Sequence, residues 1–173
     1  MGLGGTLLRK VSYLFIIYKK RLQTLLSSVL IYHMLSKLKE KYSSYADNIA
    51  LIEGSYLEFE YKPTEYDLVV SAMTMHYLER DAKLKLYKSI HSSLKGGACY
   101  IEGDYVVSKD QEKSIFDRYL DLKKTYPEIA NGSYHVDMPF SKETQLEFFE
   151  DAGFSGIETI WERERSVIFV AHE

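Results

Sequence analysis

A single cysteine, Cys99, leaves this chain without a disulfide framework or a zinc site built on several thiolates, and it fits a reducing, cytoplasmic setting. Three prolines and ten glycines in 173 residues exclude collagen-like repeats and low-complexity linkers. The histidines His33, His91 and His172 have no partner spacing that makes a metal site, so no metal is expected. Strong basic character is missing too. The formal charge is −3, and the fifteen tyrosines are not interleaved with a basic stripe, which argues against nucleic acid as a partner.

The most informative absence is local. Residues 1–36 contain five basic side chains (Arg9, Lys10, Lys19, Lys20, Arg21) and no Asp or Glu, whereas residues 37–173 hold 17 basic and 25 acidic ones. The longest apolar run in that segment, Leu14 to Ile17, is far short of the roughly 20 residues a membrane span needs, so no transmembrane segment is expected. The segment reads as an atypical basic stretch, residues 1–33, helical in expectation. An interfacial amphipathic helix is its membrane-facing alternative.

What is present is enough for one domain: 46% hydrophobic residues, 27% charged and a mean hydropathy of −0.24. From Ser36 onward strand-like and helix-like periodicities alternate, the pattern of βαβ units around a parallel sheet. Leu35 to Tyr45 reads as the end of a helix, and Asn48 to Glu53 as a strand stopping at Gly54. Tyr66 to Ser71 is an inner strand, and Ala82 to Leu94 an amphipathic helix with Leu84, Tyr87, Ile90, His91 and Leu94 on one stripe. Gly96 and Gly97 are expected to end that helix in a left-handed cap. Ala98 to Glu102 is a further strand, Lys109 to Lys124 a helix, and Ser141 to Ala152 a helix with a Ser141 cap and a stop at Gly153. Gly156 to Trp161 and Ser166 to Ala171 form a closing antiparallel hairpin.

Four stretches carry a resemblance, in order and spacing: Ile49 to Leu57 (IALIEGSYL), Tyr66 to Leu78 (YDLVVSAMTMHYL), Ser93 to Glu102 (SLKGGACYIE) and Phe149 to Phe154 (FEDAGF). Together they make residues 34–173 resemble the C-terminal three quarters of a class I S-adenosylmethionine-dependent methyltransferase. The resemblance implies an α/β, Rossmann-like sheet, mostly parallel with a C-terminal antiparallel hairpin, lacking the first strand and the second. It implies S-adenosylmethionine as cofactor, methyl transfer to a small molecule, and a domain that is partial as written. A non-catalytic binding or scaffold protein on the same fold is the competing reading.

The family's ligand crevice lies outside the carboxyl ends of the strands. Gly54, Ser55 and Tyr56 stand there after one strand, with Ser55 where the family usually has an acid for the adenine amino group and Tyr56 able to cover an adenine face. Ser71, Ala72 and Met73 stand along the methionine part of the cofactor. His76, Tyr77 and Asp104 are implied on the substrate side, and His135 lies where such enzymes build a substrate lid. Each has a structural alternative: His76 can cap a turn, and carboxylates such as Glu102 and Asp104 at strand ends can simply be solvated. Sequence alone names no catalytic base.

The family's glycine-rich loop and ribose-binding acid belong where the acid-free segment lies, and neither is there. Val29-Leu30-Ile31-Tyr32-His33 can be encoded so that regrouping one base earlier gives Gly-Ile-Asp-Leu-Ser, a typical family sequence for the second strand and its acid. The same shift at Met1 to Thr6 permits a glycine-rich loop. The segment before Met34 is therefore expected to be the right gene read in the wrong frame, N-terminally truncated, with cofactor binding impaired.

Overall fold

The computed structural model describes residues 14–19, 24–29, 36–37, 40–41, 43–44, 49–53, 55–126 and 136–173. Its strands are β1 (Leu14–Lys19), β2 (Thr24–Val29), β3 (Ile49–Glu53), β4 (Tyr66–Ala72), β5 (Leu94–Tyr105), β6 (Ser155–Arg163) and β7 (Ser166–His172). They form one seven-stranded sheet in the order β3-β2-β1-β4-β5-β7-β6. Among the described residues the helices α1 (Arg80–Ser93), α2 (Lys109–Thr125) and α3 (Lys142–Ala152) accompany it, with a 3-10 turn at Met75–Tyr77. Among the described residues no helix is long and apolar enough to cross a membrane.

The parallel pair β4/β5 and the antiparallel β7, which lies between β5 and β6, agree with the sheet expected from the sequence. The first two places in the sheet do not. Residues 14–19 and 24–29 are strands where a helix was expected, and they fill the places expected to be empty. β2 takes the second place, parallel to β3. β1 takes the first, but runs antiparallel to both β2 and β4. The reason is chain length. Only Lys20 to Gln23 join β1 to β2, whereas a parallel connection needs a crossover of a dozen or more residues. The run Leu14-Phe15-Ile16-Ile17-Tyr18, aromatic and β-branched, suits a pleated strand. A parallel first strand is thus what the sheet lacks.

One face of the sheet is covered by α1 and α3. Tyr87, Phe148 and Phe149 from the helices meet Val69, Tyr100 and Phe169 from the strands, all fully buried. The Tyr87 and Phe149 rings stack at 4.9 Å, and Tyr100 and Phe154 at 5.9 Å. α3 begins and ends as its sequence says: Ser141 accepts from the Thr144 N–H, and Gly153 is left-handed at φ 102°. α1 ends differently. Its last carbonyls, of Ser92 and Ser93, accept from the N–H groups of Thr64 and Glu65, so no glycine cap is needed and Leu94 already begins β5. Gly96 and Gly97 lie inside β5.

Candidate functional site

The parallel register of β4 and β5 sets Ser71 opposite Glu102 and Ala72 opposite Gly103, so the carboxyl ends of both strands lie side by side. Just beyond, Met73 adopts φ 52° while its N–H donates to the Gly103 carbonyl at 2.8 Å. A left-handed non-glycine backbone costs about 1–2 kcal/mol, and here it turns the chain sharply across the edge with the Met73 side chain 46% exposed.

Asp104 holds the turn that follows. Its Oδ2 accepts from the N–H groups of Met75 at 2.9 Å and His76 at 3.0 Å, and its Oδ1 accepts from Tyr105 N–H at 2.9 Å. The same Oδ1 lies 2.5 Å from His76 Nδ1. A carboxylate only accepts, so the proton of the neutral imidazole is placed on Nδ1 and Nε2 is left as the basic nitrogen. The imidazole packs against the rings of Tyr77, at 4.0 Å, and Tyr105, at 4.4 Å. Burial, and then the charge and hydrogen bond of Asp137, push the Tyr105 phenol up, so it stays protonated as a donor. The Met138 N–H donates to the His76 carbonyl at 2.7 Å, tying the segment after residue 135 to this turn. His76, Tyr77 and Asp104, named from the sequence separately, thus form one cluster.

Ser71 faces the other way. Fully buried, it bonds the Tyr100 hydroxyl at 2.6 Å. Tyr100 and Tyr87 both donate to Glu102 Oε2, at 2.8 and 2.5 Å, and Gln145 Nε2 donates to the Tyr87 hydroxyl. Lys83 Nζ lies 3.9 Å from Glu102 Oε1, which has no hydrogen-bond donor. Burial pushes the Glu102 carboxyl up and the Lys83 amine down, each partly offset by the other's charge. Glu102 is therefore an interior group rather than a solvated strand end. Sequence reasoning missed Lys83, although its spacing to Tyr87 and Ile90 places it on the buried stripe of α1.

Ser55 and Tyr56 stand at the start of the β3–β4 connection. Ser55 Oγ accepts from the Leu57 N–H at 3.2 Å in a local turn. Tyr56 is 6% exposed, part of the core, with its hydroxyl aimed at the Thr74 carbonyl at 3.4 Å. Its ring is packed inward rather than presented to an adenine. Ala72 is half-buried and Met73 exposed at the edge. Gly54 and His135 lie outside the described residues. Among the described residues no group of three metal-ligating side chains is assembled.

The centre of this edge does not fit the cofactor of the resembled family. Leu14 pairs with Ala72, so the edge receives the entry of β1, where a glycine-rich exit loop would cradle the cofactor. β2 reaches the same edge at Val29, beside Glu53 of β3. By sequence, residues 29–33 offer no Asp or Glu for ribose hydroxyls.

No protein-family model matches the chain. The carboxy-S-adenosyl-L-methionine synthase of Sulfurimonas denitrificans is 26% identical over 147 residues, covering 80% of this chain and 62% of that protein. The protein of the same name from Wolinella succinogenes is 24% identical, covering 80% and 60%. This chain therefore spans less than two thirds of the length of these relatives. Among solved structures, an S-adenosylmethionine-dependent methyltransferase from Mesorhizobium loti superposes with a TM-score of 0.60 at 17% identity, covering 86% of this chain and 79% of that one.

Proposed function

We propose that this chain, whose fold is that of the class I S-adenosylmethionine-dependent methyltransferases, comes from an enzyme that methylates a small molecule and that its own cofactor binding is impaired. The observation that carries the reading is the strand order β3-β2-β1-β4-β5-β7-β6 with β7 reversed, together with the Asp104–His76 pair on the carboxyl edge. When bound, the cofactor supplies an electrophilic methyl group; the protein's share is to align the acceptor and take its proton. His76 Nε2 is the base for that proton, and the Asp104 carboxylate stabilises the imidazolium formed. The relatives' names, which concern carboxy-S-adenosyl-L-methionine, support chemistry on this cofactor.

Two observations support the frame-shift reading of residues 1–33. The second place in the sheet is filled up to Val29, the point at which the shifted frame reads Gly-Ile-Asp-Leu-Ser, so the restored acid follows β2 at the carboxyl edge. The first place holds a strand of the wrong direction. We read residues 34–173 as the methyltransferase part of the chain and its setting as cytoplasmic, in keeping with the half-buried free thiol of Cys99.

The test is a version with residues 1–33 replaced by their shifted-frame reading, incubated with S-adenosylmethionine and a panel of small acceptors. S-adenosylhomocysteine is expected to form, and His76→Ala to lower its rate by about 10²–10⁴-fold. Turnover that is unchanged by His76→Ala would remove the base from the reading.

A further inference from the structure

A cavity of about 460 Å³ opens beside the His76 turn, between the start of α1, the first half of α2 and residues 138–140. Its size suits a small organic ligand. The walls are apolar at Ile115, Phe116, Met138 and Phe140 and charged at the rim. It adjoins the site through the chain itself: Met138, on its wall, donates its N–H to the His76 carbonyl, and Glu79 and Arg80 follow directly from the 3-10 turn that carries His76.

The rim charges do not cancel alike. Glu79 accepts from the Tyr119 hydroxyl at 2.5 Å and from Lys123 Nζ at 3.1 Å. Glu112 accepts from Ser141 N–H at 2.7 Å and from Thr144 Oγ1 at 2.8 Å. Partial burial raises both carboxyls, but these hydrogen bonds outweigh it and hold each below its ordinary range, ionised and engaged. Lys109 is taken up by Thr144 Oγ1 at 2.6 Å and Glu147 at 4.0 Å. Asp110 lies in the first turn of α2, where the helix N-terminus offsets a negative charge. Arg80 and Lys113 remain. Among the described residues neither has an ion-pair partner. The Arg80 guanidinium is set over the Phe148 ring at 4.9 Å, a contact that orients it without neutralising it.

The apolar wall is equally unfinished. Of the seventeen residues of α2 only Tyr119 is buried, and Phe116 is 48% exposed at the cavity. The geometry points to a binding site for a small amphipathic organic anion, with an aromatic or branched apolar body against Phe116 and Met138 and a carboxylate between Arg80 and Lys113. That this ligand is the methyl acceptor rests on the function proposed above; the binding itself does not.

The test uses the chain as it is, with 1-naphthaleneacetate, 1-naphthaleneethanol and 1-naphthalenemethylammonium as probes and the Met138 methyl NMR signal as readout. The carboxylate is expected to shift that signal saturably and to bind about 10-fold more tightly than the alcohol, the worth of one charge-assisted contact. The ammonium should bind most weakly. Arg80→Gln with Lys113→Gln should bring the carboxylate down to the alcohol while leaving the alcohol unchanged, which also reports that the fold survives. Equal affinities for the three probes, no saturable shift with any of them, or a carboxylate preference that persists in the double variant would each overturn the proposal. Carboxylate binding here, with no turnover by the frame-restored chain, would keep the site and reject the methyltransferase reading.

Discussion

Glu102→Ala is expected to destabilise the fold by about 3–5 kcal/mol, the usual cost of stranding one partner of a buried ion pair. The variant removes the acceptor of both the Tyr87 and Tyr100 hydroxyls and, among the described residues, the only carboxylate within 4 Å of the Lys83 amine. Lys83 is 2% exposed and cannot reach water without opening α1. The loss should appear as a lower urea midpoint at unchanged slope. The pair itself is held at a cost, since Glu102 Oε1 has no hydrogen-bond donor and Lys83 stands 3.9 Å away. Lys83→Met combined with Glu102→Gln keeps an acceptor for the phenols and removes both charges. That double variant should return to within about 1 kcal/mol of the parent or exceed it. A double variant no more stable than Glu102→Ala would show that the ion pair is not what the interior depends on.

The pH dependence has a definite sign. Because the folded Glu102 carboxyl is raised above its ordinary 4.5, the native state holds the extra proton. Its contribution is complete below 4.5 and lost as pH rises through the raised folded value. Lys83 is lowered from 10.5, so its contribution is complete above 10.5 and lost as pH falls through the lowered folded value. Stability should therefore fall and then recover as pH rises between those limits. In the double variant both slopes should vanish.

Asp104 should respond differently to its two shortest replacements. Asp104→Ala leaves the N–H groups of Met75, His76 and Tyr105 without their acceptor, at about 1–3 kcal/mol for each donor kept from water. Asp104→Asn can keep the Met75 and His76 bonds on its oxygen, but it presents an NH₂ group where Oδ1 stood. His76 Nδ1 must then accept, and the imidazole proton moves to Nε2. Imidazole ¹⁵N spectra of the neutral ring should show Nδ1–H in the parent and Nε2–H in Asp104→Asn. An Nε2–H parent would contradict the assignment of Nε2 as the base.

β4, α2, α3 and the β6/β7 hairpin were legible because their periodicities are long and bounded. The middle of Tyr66 to Ser71 is apolar on both faces, Ser141 and Gly153 bracket α3, and Glu164 and Arg165 turn β6 back onto β7. Residues 14–29 were not legible, because four or five apolar residues between basic ones suit either a helix or a strand. The short Lys20 to Gln23 connection decides in favour of antiparallel strands only once a sheet is there to join. His76 and Asp104 could each be nominated from their places after strands. Their pairing could not, since they are 28 positions apart and meet only through the β4/β5 register. Glu102 was misread because a strand-end carboxylate is ordinarily solvated. The compensating Lys83, Tyr87 and Tyr100 come from another helix turn and from within β5.

On the function proposed above, this chain has a methyltransferase fold whose cofactor end is spoiled by the antiparallel β1. Calorimetric titration of S-adenosylhomocysteine into the chain and into its frame-restored version tests it most directly. Saturable binding is expected of the restored version, and no saturable heat with the chain as it stands. Tight binding by the unaltered chain, or none by the restored one, would contradict it.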